Sequence, residues 1–142
     1  MIDADLIPIL ILGTLLAHIL EDFHLQGILA QMKQKSWWYD EVARVSCEQS
    51  DVEVPILMKK YRYDYAASLL MHGIEWSIII AIPAMFILGG CPWWLLVIVA
   101  LNAVVHASID NAKCNRMSIN LVQDQILHMC QLSVVVIATI FC

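Results

Sequence analysis

A chain of 142 residues is long enough for one domain. Its residues are 61% hydrophobic and 15% charged, whereas a soluble domain is roughly half apolar and about a quarter charged. The net charge of −5, with no basic stripe, excludes a nucleic-acid module. Mean hydropathy is +0.73 and the apolar residues fall in long blocks. The expected class is therefore all-α and integral to a membrane. The reading is a four-helix bundle of antiparallel spans that makes residues 1–142 a single transmembrane domain.

Taken in chain order, Met1-Ile-Asp-Ala-Asp5 lacks the positive start of a signal peptide, and no small-residue cleavage site follows. The first apolar segment is expected to stay, as a span over 5–32 that is purest at Leu6–Leu20. Glu21, Asp22 and His24 crowd its second half, and Gly27 stands near its end. Residues 33–64 form a polar connection of about 30 residues, long enough to be a lid, a partner surface or a linker. Trp37-Trp38-Tyr39 and Tyr61, Tyr63 and Tyr65 read as interfacial anchors, and Cys47-Glu-Gln-Ser-Asp51 as an exposed loop. The second span is expected over 65–88, with Pro83 inside it as a potential kink that neighbouring helices tolerate. Gly89-Gly90-Cys91-Pro92 is a tight turn. The third span follows over 93–113, and the fourth over 119–142 with Ser118 as its N-cap. The five cysteines show no CxxC spacing, so they signal neither a zinc ribbon nor a thioredoxin motif.

The eight Lys and Arg set the orientation. Lys33, Lys35, Arg44, Lys59, Lys60 and Arg62 lie in the first connection, and Lys113 and Arg116 at the turn between spans three and four. By the positive-inside rule both basic connections are cytoplasmic and both termini outside, in a bacterial inner membrane.

Each span carries a histidine and an acid at helical spacing. His18 and Asp22, His106 and Asp110, and Asp124 and His128 are four apart, while His72 and Glu75 are three apart. Polar stripes extend these pairs: Thr14–His18–Asp22–Gln26, Ser68–His72–Glu75, Asn102–His106–Asp110 and Asn120–Asp124–His128. Such faces must turn inward, because lipid cannot satisfy them. Counted at 1.5 Å per residue from the basic ends, all four pairs lie roughly 6–20 Å deep in the same half of the membrane. Imidazole and carboxylate together suit Zn²⁺, Mn²⁺ or Fe²⁺. Four His and three Asp exceed what one tetrahedral ion needs, so two ions bridged by a carboxylate fit the set. The expected ligands are His18, Asp22, His72, His106, Asp110, Asp124 and His128. Glu75 is the candidate general base, and Glu75 or Glu21 the outer partner of a ligand. His24 faces away from His18, Trp76 reads as packing, and Cys130 lies off the His128 face. Lys113 has three readings: it neutralises Asp110, reaches the headgroups or holds an anionic substrate group. Two further readings of the set stand beside metal: a proton or ion relay, and structural hydrogen bonding between helices.

His18-Ile-Leu-Glu-Asp22-Phe-His-Leu-Gln26, His72, His106-Ala-Ser-Ile-Asp110 with Lys113, and Asp124-Gln-Ile-Leu-His128 together resemble the DUF3307 domain family. These are small bacterial and phage-borne multi-span proteins. That pattern often carries a second His one turn after the first in helix two, where this chain has Trp76 beside Glu75. The resemblance implies a membrane location and a His/Asp core, and no activity.

The leading expectation is a metal-dependent hydrolase holding one or two ions, zinc first. It would act on a lipid-linked or small phosphoester or amide reached from the cytoplasmic leaflet. A metal or proton transporter or channel is the first alternative. It needs a polar path to the outer face, where the stripes end at Thr14, Ser77, Asn102 and Gln131. The second is a phage-type interaction protein that uses 33–64 as its contact surface and the His/Asp set as a staple. The expected partners are the lipid bilayer and no nucleic acid, with homo-oligomerisation left open.

Overall fold

The computed structural model describes residues 2–48 and 54–142. A 3₁₀ turn at Ala4–Leu6 leads into α1 (Ile7–Leu20), which passes into a π-helical turn at Glu21–Leu25. There follow α2 (Leu29–Met32), α3 (Lys35–Glu48), α4 (Val54–Lys60), α5 (Asp64–Leu88), α6 (Trp93–Cys114) and α7 (Leu121–Phe141), with no strand among the described residues. Four stretches are long and apolar enough to cross a membrane: Ala4–Leu25, Val54–Leu88, Trp93–Cys114 and Leu121–Phe141.

Three boundaries differ from the sequence expectation. The first helix does not continue to Met32. Gly27 adopts φ +53°, a left-handed conformation that glycine takes without steric cost, and the chain restarts as the separate α2. The described residues of the 33–64 connection are mostly helical. Trp38, Val42 and Val45 repeat at helical spacing, and Val42 on α3 and Leu57 on α4 are buried. Trp38 stacks on Tyr61 with centroids 5.9 Å apart and donates its indole N–H to the Met32 carbonyl at 2.7 Å. Cys47 and Glu48 belong to α3, and the rest of the expected loop lies outside the described residues. The N-cap of α7 is Asn120, not Ser118. Asn120 Oδ1 accepts the Gln123 backbone N–H and Gln123 Oε1 accepts that of Asn120, both at 3.0 Å. Ser118 donates instead to the Ala112 carbonyl at 3.2 Å. Asn120 is thus spent on the cap and does not extend the inward stripe of α7.

Helix α5 packs against α1, α6 and α7 and runs unbroken through Pro83. At its crossing with α6 the two backbones touch: a Cβ on Gly73 would stand 2.4 Å from the Ala103 carbonyl oxygen. Small residues permit such approach, and it suits helices in lipid, where packing rather than water exclusion drives association. On one side of the His/Asp layer Leu10, Trp76, Ile80, Ala81, Ala84, Leu95, Leu132 and Val135 form a continuous buried cluster. The outer faces carry exposed Leu12, Leu16, Phe86, Leu101, Val104 and Ile137. Among the described residues, as many buried side chains are polar or charged as are apolar. This inside-out distribution is stable where the surrounding solvent is hydrocarbon.

Gly73→Ala is expected to force α5 and α6 apart and lower stability by about 1–3 kcal/mol. Gly90→Ala, with no atom within 4 Å of the added Cβ, is the neutral control. Denaturant unfolding in detergent reads both. Equal stability of the two variants contradicts the close crossing.

Candidate metal centre

Every span contributes to one buried cluster. His18 from α1, His72 from α5, His106 from α6 and His128 from α7 are all at most 1% exposed, and Glu21, Asp110 and Asp124 at most 3%. Asp22 is half-buried beside them and Glu75 half-buried at the edge. The rings of Trp76, His106 and His128 stack in sequence, with centroids 4.2 Å and 4.3 Å apart. His24 is exposed and lies outside the cluster. The π turn explains why α1 delivers two acids rather than one. A wider turn admits an extra residue, and Glu21 enters the interior together with Asp22.

Asp110 stands at the middle. Its Oδ2 lies 3.5 Å from His72 Nε2 and 3.8 Å from His106 Nε2. Its Oδ1 lies 3.5 Å from His128 Nε2, which is also 3.5 Å from Asp124 Oδ1. The Nε2 atoms of His72 and His106 are 3.1 Å apart. Ligands 2.0–2.1 Å from a tetrahedral zinc ion sit about 3.3–3.4 Å from one another. Two overlapping donor sets come near that spacing: His72, His106 and Asp110 at 3.1–3.8 Å, and Asp110, Asp124 and His128, whose Nε2 is 3.5 Å from both carboxylates. One carboxylate serves both. Asp22 forms a third such set with His106 and His128, and Glu21 a fourth with His72 and Glu75.

Hydrogen bonds fix which nitrogens are free. Gln131 donates to the Asn102 carbonyl at 3.0 Å, and its Oε1 accepts from His128 Nδ1 at 3.1 Å. In the neutral ring the proton of His128 is thereby held on Nδ1, and the lone pair of Nε2 faces two carboxylate oxygens. His128 Nε2, Asp124 Oδ1, His72 Nδ1, His106 Nδ1 and both Glu21 oxygens are buried without a hydrogen-bond partner. Orphaned buried donors and acceptors are costly, and here they converge. The Glu21 carboxylate, with Oε1 at 3.4 Å from His72 Nδ1, stands where the outer partner of a ligating histidine stands.

His18 differs from the expectation for a ligand. Trp76 donates its indole N–H to His18 Nδ1 at 3.1 Å, so the ring proton sits on Nε2 and goes to Gln125 Oε1 at 3.2 Å. Both nitrogens are engaged. The Gln125 amide then donates to Asp22 Oδ2 at 3.0 Å and to Asp124 Oδ2 at 3.1 Å. Trp76, read from the sequence as packing, also orients a histidine. Gln125 stands one position off the α7 stripe, so helical spacing alone does not mark it.

The charges balance in an order the sequence did not indicate. Lys113 pairs with Asp124 Oδ2 at 2.6 Å, not with Asp110. Asp110 Oδ2 is taken by Lys33 at 2.6 Å, across 77 positions of sequence. Lys33 reads from the sequence only as part of the basic connection. Together these lysines flank a cleft of about 250 Å³ lined by Asp22, Gln26, Asp110 and Gln125. A second cavity of about 280 Å³, between Lys35, Trp38, Tyr61 and Tyr65, contains none of the His/Asp set.

Gln125→Leu removes hydrogen bonds to His18, Asp22 and Asp124 while Lys113 stays on Asp124, and is expected to cost about 1.5–3 kcal/mol. Trp76→Phe removes one neutral bond and also vacates fully buried volume, and is expected to cost about 2–4 kcal/mol. Unfolding by titrated denaturing detergent reads both, and a Gln125→Leu variant as stable as wild type overturns the hydrogen-bond assignment.

Against family models, curated proteins and solved structures, the chain has no match, and the reading of its site rests on geometry.

Proposed function

We propose that this chain is a membrane-embedded protein that binds one or two divalent cations among its helices and uses them to hydrolyse a phosphoester or amide. The observation that carries this reading is the Asp110 carboxylate, whose two oxygens face two separate imidazole groups across ligand-to-ligand distances. His72, His106 and Asp110 would hold one ion, and His128, Asp124 and Asp110 the other, with Asp22 between them. Zinc suits the donor set best, and manganese or iron also fit it. A cation held there would supply Lewis acidity for hydrolysis.

The chain's own residues do the rest. Glu21 holds the His72 ring, and the Trp76–His18–Gln125 relay holds Asp22 and Asp124, so His18 is a positioning residue in this reading. Glu75, half-exposed beside Glu21 and His72, is the group best placed to take a proton from water. The apolar cluster from Leu10 to Val135 fills the space beyond the histidines, which favours a blind pocket over a transport path. The site opens at the end that carries Lys33 and Lys113, and we place that end in the cytoplasm of a bacterial inner membrane, with the termini outside. The kinship with DUF3307 domains belongs to the same proposal and rests on the order of these His and Asp residues.

Elemental analysis of detergent-purified protein is expected to find one or two zinc equivalents, lost in Asp110→Asn and kept in His24→Ala. Metal-free protein with intact helices overturns the reading. His106→Ala separates a site from a staple: lost metal with retained helicity supports the site, and a collapsed bundle supports the staple. Single-cysteine variants keeping Cys47 or Cys142, both exposed, test the orientation. Labelling of Cys47 only from the cytoplasmic side and Cys142 only from outside is expected, and the opposite pattern reverses the topology.

A further inference from the structure

We propose that Lys33 and Lys113 form an exchangeable anion clamp: they hold the carboxylates when the cation is absent, and grip a phosphate group of the substrate when it is present. This deepens the proposed function and rests on its metal reading, choosing the phosphoester over the amide. Each lysine sits on an oxygen of a proposed bridging or terminal ligand, Lys33 on Asp110 Oδ2 and Lys113 on Asp124 Oδ2, both at 2.6 Å. An ammonium and a metal ion on one carboxylate repel each other strongly in a low-dielectric interior. A cation entering among the histidines therefore weakens both ion pairs. The ammonium groups cannot retreat into hydrocarbon, and the cleft of about 250 Å³ that both line is the polar space open to them.

The charge count gives the class of ligand. Glu21, Asp22, Glu75, Asp110 and Asp124 carry five negative charges against the two lysines, with neutral histidines. Two divalent ions convert this deficit into an excess of one positive charge, which an anionic phosphate group answers. An uncharged amide would leave that excess unbalanced. Gln26 and Gln125 line the same cleft and offer amide groups beside the lysines. Lys33 is 12% and Lys113 37% exposed at the side chain, so a group entering the cleft meets both without the bundle opening. Phosphate carried by a lipid headgroup and phosphate free in solution share this chemistry.

The two ligands respond to the clamp with opposite signs, which separates it from a structural role. Purified protein in detergent is titrated with Zn²⁺, and the zinc-loaded protein then with orthophosphate and with a short-chain phosphatidic acid, each by calorimetry. Wild type is compared with Lys33→Met and Lys113→Met. Both variants are expected to bind zinc at least as tightly as wild type, by up to about tenfold, because a competing cation is gone. Both are expected to lose phosphate affinity by about tenfold or more, the value of one charged hydrogen bond. Lys33→Arg should restore phosphate binding. A misfolded variant loses both ligands, and the zinc titration on the same sample identifies it; Lys33→Arg, which keeps the charge, then decides. Tighter binding of phosphatidic acid than of orthophosphate assigns a lipid headgroup, and equal binding a soluble phosphate. Zinc binding with phosphate affinity unchanged in both methionine variants overturns the clamp and leaves the metal reading intact. No zinc binding in wild type overturns both.

Discussion

The Asp110 carboxylate is ringed by Lys33 just after α2, His72 on α5 and His128 on α7, besides His106 one turn back on α6. A charged group at 3% exposure inside an apolar shell is tolerable only when it is surrounded in this way. Breaking one partner of a buried charge typically costs about 3–5 kcal/mol, more than most single contacts in a bundle contribute. The packing of α5, α6 and α7, and of the segment that carries Lys33, is thus tied to one oxygen pair. The rest of the cluster follows from it: His128 must face Asp110 and Asp124 together, and its tautomer must be set from behind by Gln131.

The same constraint explains the division of labour along the bundle. On one side of the histidine layer, ordinary apolar packing fills the interior, from Leu10 on α1 to Val135 on α7. On the other, lysines, glutamines and carboxylates meet at a cleft. A bundle in hydrocarbon gains little from burying leucine, since lipid tails are equally apolar. Specificity comes instead from close backbone contact, as at Gly73 and Ala103, and from polar groups that find partners only in one arrangement. The Trp76–His18–Gln125 chain is such an arrangement, linking α5, α1 and α7 through directional bonds.

The two lysines compensate the buried carboxylates of Asp110 and Asp124 from within the chain. Uncompensated acids at that depth would be protonated or would draw water into the bundle. Flexible ammonium groups at the polar end remove that requirement, because a lysine stem reaches inward while its charge stays at the border. Their attachment to Asp110 and Asp124, rather than to Glu41 and Glu48, which pair with Arg44 on α3, ties them to the centre.

Much of this was legible in the chain itself. Helical spacing alone identified His18, His72, His106 and His128 and the acids Asp22, Asp110 and Asp124, because a polar residue recurring every turn in an apolar block must share one inward face. Hydropathy fixed four long apolar helices, since length and composition are local properties. The tertiary structure decided what depends on distance across the bundle or on backbone detail. Spacing leaves Glu21 and Glu75 as alternative outer partners of a ligand, and the π turn is what carries Glu21 into the buried interior. The first helix ends at Gly27 because of a single positive φ. Lys33 finds Asp110 and Lys113 finds Asp124, although sequence proximity pairs Lys113 with Asp110. His18 is saturated by Trp76 and Gln125, whereas its spacing from Asp22 marks it as a ligand. A sequence specifies which groups share a face; which atom of each group remains free is settled only when the facing helices have supplied their donors and acceptors.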